Sequence, residues 1–292
     1  MQRPATELIR ERFSSRAYLP RPIETALLEP LSSALSANRA GPFGSLARFV
    51  LIAASEHDPE LLKGLGTYGF IKGATGFVAG AVENGPKDME DYGYLLEQAV
   101  LFATDLGLGT CWLGGTFTKS SFADRLAPTA AESIPAIVAI GHIDETMAKE
   151  QIRRRPLSHR LPAAQLFFER GFDTPIAGRV PDGDAGDDVD ARLLEAVRWA
   201  PSASNKQPWR IVRDGGDWHF YLQRTKGYGK GSLLFSVLRL ADLQRVDMGI
   251  AMCHFELVAR ELGMKGRWVV DEPPIRRPDP ATEYTATWRA AA

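Results

Sequence analysis

Residues 200–209 read Ala-Pro-Ser-Ala-Ser-Asn-Lys-Gln-Pro-Trp, a polar stretch between a predicted helix and a predicted strand. Its two prolines stiffen the backbone. The amides of Asn205 and Gln207 both donate and accept hydrogen bonds, which suits the edge of a heterocycle that alternates N–H groups with carbonyls. The alternative is a loop at a helix C-terminus in which these side chains satisfy nearby backbone groups.

A glycine-rich stretch, Gly-Leu-Gly-Thr-Cys-Trp-Leu-Gly-Gly, occupies residues 107–115. It follows a predicted amphipathic helix over 92–106. Glycine lets the backbone approach a flat ring closely, and the exposed N–H groups can bind polar ring atoms. Helix capping followed by a buried loop is the competing interpretation.

The third stretch, Arg-Phe-Ser-Ser-Arg, occupies residues 12–16 after a predicted short helix. Two guanidinium groups flanking two hydroxyls suit a phosphate monoester, because arginine forms bidentate charge-assisted hydrogen bonds. The alternative is an ordinary basic helix end, where arginine complements the helix dipole.

Composition limits the class of protein. The chain has 292 residues, of which 45% are hydrophobic and 24% charged, and its net charge is −1. This balance indicates a globular protein without the concentrated basic surface that nucleic-acid binding needs. The apolar runs are shorter than the roughly 20 residues of a membrane-spanning helix, and the N-terminal residues contain no signal-peptide core. We therefore expect a cytoplasmic protein that binds neither nucleic acid nor membrane.

Several catalytic motifs are missing or misplaced in the sequence. The five histidines are scattered and no Cys-x-x-Cys occurs, so no metal site is predicted. Residues 64–69 match Gly-x-Gly-x-x-Gly, but they follow a charged helical stretch and precede a strand, the reverse of a dinucleotide-binding context. Residues 227–232 have the letters of a phosphate loop with the wrong spacing.

The order of predicted elements repeats along the chain. Each half contains a helix, a polar loop, strands and a long helix, and the segments 94–109 and 246–263 both reach Leu-Gly after an acidic residue. A stretch rich in aspartate, over 181–190, precedes the second set. We predict two tandem degenerate halves, 1–160 and 161–292, intertwined as one unit.

Together, the three stretches resemble the motifs of the FMN-dependent nitroreductase superfamily, and the whole chain resembles its two-lobed single-chain branch of NADPH-dependent nitroreductases. Members carry Arg-x-Ser-x-Arg/Lys near the N-terminus, Pro-Ser-x-x-Asn-x-Gln-Pro-Trp, and Gly-Leu-Gly-Thr-Cys-Trp-x-Gly-Gly after the long central helix. The resemblance implies an α+β fold, a three-layer α-β-α sandwich whose two degenerate halves form a pseudo-dimer within one chain.

The two halves lack complementary motifs. In family members, each FMN site takes its phosphate and N5 contacts from one subunit and the Pro-Ser-x-x-Asn loop from the other. Here residues 37–44 do not match that loop, residues 170–174 include Asp173, which would repel a phosphate, and residues 262–266 lack the N5 loop. The resemblance therefore implies one working flavin site and one degenerate site in a chain that can function as a monomer.

Residue roles follow from the same resemblance. Arg12 and Ser14 would bind the FMN phosphate, and Arg16 would lie near flavin N1 and O2. The other implied FMN contacts are the N5 loop, Leu113, Gly114 and Gly115; the pyrimidine side, Pro201, Ser202, Asn205 and Gln207; and a late basic pair, Arg153 and Arg155. The register within the run of three arginines stays open, and a solvated surface patch is the alternative for that run.

The implied activity is the reduction of nitroaromatics, quinones or similar small-molecule acceptors by NAD(P)H in a ping-pong mechanism. FMN carries the chemistry, so no side chain is assigned as an acid or base. Two alternatives remain open. One is a non-redox flavin protein for storage, transport or sensing, with residues 226–235 covering the site. The other is a remnant of the fold that binds no flavin.

Overall fold

The computed structural model describes residues 1–37, 39–54, 59–147, 149, 160–176, 186, 188–228 and 241–291. Two five-stranded sheets and their helices form an α+β architecture. Within these ranges, no helix combines the length and the apolar character needed to cross a bilayer.

The first half builds one sheet, in the order β1-β2-β5-β3 with β4 beside β2, and all its pairings are antiparallel. Its strands are β1 (Ala47–Ala53), β2 (Gly76–Glu83), β3 (Gly109–Leu113), β4 (Glu132–Ser133) and β5 (Ile137–Gly141). Its helices are α1 (Ala5–Glu11), α2 (Thr25–Ala37), α3 (Asp88–Asp105) and α4 (Lys119–Leu126).

The second half builds the other sheet, in the order β6-β7-β8-β10-β9, in which only the β6–β7 pairing is parallel. Its strands are β6 (Phe167–Glu169), β7 (Trp209–Asp214), β8 (Asp217–Gln223), β9 (Gly266–Val269) and β10 (Thr282–Ala290). Its helices are α5 (Ala163–Leu166), α6 (Val189–Trp199) and α7 (Leu243–Glu261).

The main hydrophobic core lies between the two sheets and contains α1, α3, α6 and α7. Strand β2 shows how the sequence places this core, because its side chains alternate between faces. Val78 and Val82 face the central helices. Phe77 and Ala79 face the opposite side, where α4 packs against the sheet through Phe122. The first half is thus layered as helix, sheet and helix, as predicted.

The two long helices, α3 and α7, end in the same way. Gly107 and Gly263 follow them with φ angles of +77° and +76°. One residue further on, the amide of Leu108 donates to Ala103 O and that of Met264 donates to Ala259 O, both at 2.9 Å. This matching helix terminus is a Schellman arrangement, which needs a left-handed residue that glycine supplies. It is consistent with the predicted degenerate repeat.

Most predicted elements agree with the structure, and the differences are local. The apolar run over 47–53 predicts a strand, and β1 has these bounds, whereas α3 begins at Asp88 rather than at residue 92. Strands β3, β6 and β10 have no counterpart among the sequence-based predictions. The apolar run over 134–141 predicts one buried strand, but only β5, over 137–141, forms there, after the short strand β4.

Candidate functional site

The segment 12–16 lies beside the start of β3. After α1 the chain becomes extended, and Ser14 forms a parallel bridge to Thr110. The next amide, that of Ser15, donates to Thr110 O at 2.9 Å. The Ser15 hydroxyl is buried and donates to Ala17 O at 3.0 Å. Ser14, which is only half-buried, is therefore the more accessible serine of this segment.

Strand β3 leads from this segment to the predicted N5 loop. Leu113 is buried, Gly114 is half-buried and Gly115 is exposed. A Cβ atom on Gly114 would collide with the side chain of Leu243 at the start of α7. A Cβ atom on Gly115 would meet no atom within 4 Å. The second half of the chain thus packs directly against this loop and leaves the backbone at Gly115 accessible.

The loop 200–209 approaches the same region from the second half. It is anchored by the buried carboxylate of Asp247 on α7, which accepts from the amide of Ala203 at 3.0 and 3.2 Å. Burial raises the pKa of Asp247 well above its ordinary value, and the Ala203 amide opposes part of this rise. Because Asp247 lies one turn beyond Leu243, one helix end holds this loop close to the N5 loop.

The backbone of this loop is strained at three residues. Ser204, Asn205 and Gln207 have φ angles of +51°, +54° and +49°, a region that residues other than glycine rarely adopt. The Ser202 hydroxyl stabilises this conformation by accepting from the Gln207 amide at 2.9 Å. Such strain persists where the surroundings over-determine it, as at binding sites.

The two amide side chains of the loop differ in accessibility. Asn205 is exposed, whereas Gln207 is buried, with its Oε1 accepting from the Leu161 amide at 2.9 Å and its Nε2 donating to Asn205 O at 3.2 Å. Pro201 is buried and Ser202 is half-buried. In this geometry the Gln207 side chain supports the loop from within, and Asn205 is the amide presented outward.

Arginines from both halves meet at the site. Arg160 donates to Ala200 O at 2.7 Å, to Trp199 O at 3.0 Å and to Asn205 Oδ1 at 3.2 Å. Burial, together with the nearby charges of Arg12 and Arg198, lowers the pKa of Arg160 to about 10. The cation still keeps its proton at neutral pH. Arg12, Arg160 and Arg198 thus form a cluster of positive charge beside the amide loop.

Arg12 is the buried member of the cluster that best fits an anion. Among the described residues, its Nε has no hydrogen-bond partner. The carboxylate oxygen nearest to it in an ion pair, Glu97 Oε1, is 3.9 Å away. Burial lowers the pKa of Arg12, and Glu97 partly opposes this effect. A buried guanidinium without a close partner costs free energy, which a bound phosphate would offset through charge-assisted hydrogen bonds.

The structure thus brings together the three predicted stretches at the junction of the two halves. Arg16 lies at the edge of the phosphate segment, where its carbonyl accepts from the Lys72 amide at 2.9 Å. The predicted contacts from Arg153 and Arg155 lie outside the described residues. Arg160, five residues beyond that run, lies beside the amide loop, where it donates to Asn205 Oδ1.

Sequence patterns did not single out four residues that lie at or behind the site. These are Glu97, Arg160, Asp247 and His254. Glu97, Asp247 and His254 occur within amphipathic helices, where the pattern alone does not distinguish a buried functional group from a surface one. The available signal was a charged or imidazole side chain on the apolar face of a helix. Such groups are seldom fully buried unless they are paired.

The sequence and the fold are similar to those of known proteins. The profile of the family described as "Putative TM nitroreductase" matches residues 5–177 and 178–259. A solved "putative nitroreductase" from Thermotoga maritima is 18% identical, with a TM-score of 0.59, and the match covers 99% of this chain and 94% of the relative. It shows that the fold is shared over the whole chain.

Other solved structures match about half of the chain. A "putative nitroreductase in complex with fmn" from Desulfovibrio desulfuricans is 25% identical over 49% of this chain and 88% of its own, with a TM-score of 0.38. A nitroreductase with bound FMN from Bacteroides fragilis is 20% identical over 49% of this chain and 90% of its own, with a TM-score of 0.37. No curated protein matches the sequence significantly.

Proposed function

This chain belongs to the "Putative TM nitroreductase" family, and from that premise we propose that it is an FMN-dependent oxidoreductase that uses NAD(P)H. Its acceptors would be nitroaromatics, quinones or similar small molecules. Bound FMN would supply two-electron transfer between the donor and the acceptor. We also propose that the protein works as a monomer, because residues from both halves already meet at the site within one chain. The proposed location is the cytoplasm.

The buried guanidinium of Arg12 carries the proposal. Its Nε lacks a partner among the described residues, and Arg12 begins the segment that Ser14 joins to Thr110 of β3. Arg160 adds a second, half-buried positive charge near Arg12. This combination fits a ligand with a phosphate at one end, which Arg12 and Ser14 would bind.

The rest of the site fits a flat heterocycle beside that phosphate. Gly114 and Gly115 present backbone without side chains, and Asn205 presents an exposed amide held by Arg160. No side chain is assigned as an acid or base, because the residues of the site bind and orient the cofactor. We expect donor and acceptor to use the same pocket in turn.

Anaerobic reduction of the FMN-loaded protein tests this function. Adding NADPH or NADH should bleach the flavin absorbance rapidly, and adding a quinone should restore it. Steady-state rates at varied donor and acceptor should give parallel double-reciprocal lines. A flavin that binds but is not reduced by either nucleotide would instead support a storage or carrier protein. Intersecting lines would contradict the ping-pong scheme.

A further inference from the structure

A buried cluster of polar side chains lies directly behind the site. Glu97 on α3 and His254 on α7 have no exposed surface. His254 Nε2 lies 2.9 Å from Glu97 Oε1, and the other Glu97 oxygen accepts from Trp112 Nε1 at 2.7 Å. His254 Nδ1 lies 2.9 Å from Ala196 O, on the helix that leads into the amide loop.

These contacts determine how many protons the pair holds. A carbonyl oxygen only accepts, so His254 Nδ1 must carry a proton. Its other nitrogen faces a carboxylate oxygen at hydrogen-bond distance, so a second proton lies between Nε2 and Glu97. The pair is either an imidazolium with a carboxylate or a neutral imidazole with a carboxylic acid. In both forms its net charge is zero.

This neutrality accounts for the position of Arg12. Its Nε is buried 3.9 Å from Glu97 Oε1, the same oxygen that His254 contacts, and it forms no hydrogen bond with any described residue. A carboxylate with no other positive partner would attract the guanidinium into a close ion pair, because buried charges need a counter-charge. Because the contact to His254 neutralises Glu97, Glu97 does not need Arg12 as a counter-charge.

We propose that His254 is a positioning residue that neutralises Glu97 and thereby leaves the Arg12 guanidinium available to an anionic group. This inference rests on the proposed function in one respect, namely that the anion is the phosphate of FMN. It assigns a role in cofactor binding to a side chain that does not touch the site.

Three variants separate charge from packing. Glu97→Gln keeps the hydrogen-bonding capacity, since its carbonyl can accept from Trp112 and its amide can donate to His254. His254→Gln keeps a donor toward Glu97 but removes the group that shares the second proton with it. The double variant Glu97→Gln with His254→Gln removes both ionisable groups, so the pair is neutral again.

The measurement is the dissociation constant of FMN for the apoprotein, by quenching of flavin fluorescence, with melting temperatures measured in parallel. His254→Gln should weaken binding by about tenfold or more, because Arg12 then pairs with Glu97. Glu97→Gln and the double variant should bind within about threefold of the unmodified protein. A double variant no better than His254→Gln, or His254→Gln binding normally, would overturn the inference.

The protonation of His254 in the unmodified protein gives an independent test. In nitrogen-15 spectra of the imidazole, Nδ1 should carry a proton. A neutral ring protonated only at Nε2 would overturn the inference, even if the variants do not fold. Failure of the unmodified apoprotein to bind FMN would instead contradict the proposed function, and the spectrum would still report on the pair.

Discussion

Gly93 of α3 and Gly249 of α7 are counterparts in the two halves, and each lies against the backbone of the opposite helix. A Cβ atom on Gly93 would collide with Val246 O, and a Cβ atom on Gly249 would collide with Glu90 O. The contacts are reciprocal, since Gly249 follows Gly93 by the same number of residues as Val246 follows Glu90. The two halves therefore pack as copies related by a local two-fold arrangement, like the isologous interface of a dimer.

This close approach predicts a large loss of stability in Gly93→Ala and in Gly249→Ala. Either methyl group must displace helix backbone, so the free energy of unfolding should fall by at least about 2 kcal/mol, despite the intrinsic preference of helices for alanine. Urea unfolding measures the effect. The matched control is Gly171→Ala, where a Cβ would meet no atom within 4 Å. If the two helix variants unfolded at the same urea concentration as this control, the packing described here would be wrong.

The buried charge of Arg12 predicts opposite effects on binding and on folding. Arg12→Gln should weaken FMN binding by about tenfold to a hundredfold, because it removes a charge-assisted contact with the phosphate. Burial lowers the pKa of Arg12, so the charged group opposes folding of the apoprotein. The variant apoprotein should therefore be at least as stable as the unmodified one.

An exposed arginine provides the comparison for Arg12→Gln. Arg276→Gln removes the same charge from the surface and should leave both FMN affinity and stability unchanged. Equal FMN affinity in the two variants, measured by fluorescence titration, would remove the phosphate assignment from Arg12.

The anchor of the amide loop predicts a pH dependence. The folded-state pKa of Asp247 is raised above its ordinary 3.8 by burial. Its protonated form is therefore favoured in the folded state, and stability is lost as pH rises from about 4 through the raised pKa. Asp247→Asn cannot ionise, so its stability relative to the unmodified protein should increase over that pH range.

Chemical unfolding at several pH values measures this difference. Asp173→Asn, at an exposed position, is the control and should show no such trend. A constant difference between Asp247→Asn and the unmodified protein from pH 4 to pH 9 would mean that Asp247 is not protonated in the folded state at any of these pH values.

The sequence predicted the elements whose hydrophobic pattern is continuous. Strand β1 and the long helices α3 and α7 are examples, because each presents a regular apolar face. The sequence predicted a glycine-rich loop where strand β3 lies, because Gly109 and Thr110 follow the helix in a pattern typical of loops. Pairing of this segment with β5 overrides that local preference. Strand β10 pairs with both β8 and β9, contacts that are far apart in sequence.

Parts of the candidate site could be predicted where the residue types of a motif indicate the group that they would bind. The segments at Arg12, Gly114 and Asn205 were identified in this way, and the structure brings them together. The roles of Glu97 and His254 could not be inferred, because they depend on a contact between helices from different halves. Gln207 matches the motif, but its side chain is buried and forms hydrogen bonds with the Leu161 amide and the Asn205 carbonyl.

The second half has features that oppose a flavin at the equivalent place. Its strand β9 is followed by Val270, Asp271 and Glu272, where β3 is followed by two glycines. Asp173 is exposed in the segment 170–174, the counterpart of the phosphate segment. Acidic groups would repel a phosphate, and bulky residues would obstruct a ring. These features support one flavin site per chain.

The amount of FMN bound per chain tests this account most directly. The purified protein would be saturated with FMN, freed of excess flavin, and measured by absorbance against protein concentration after heat release. We predict one FMN per chain, and about 2.7 kcal/mol of stabilisation when free FMN is 100 times its Kd. Two FMN per chain would show that the second half forms a working site, and the absence of both binding and stabilisation would contradict the flavin site itself.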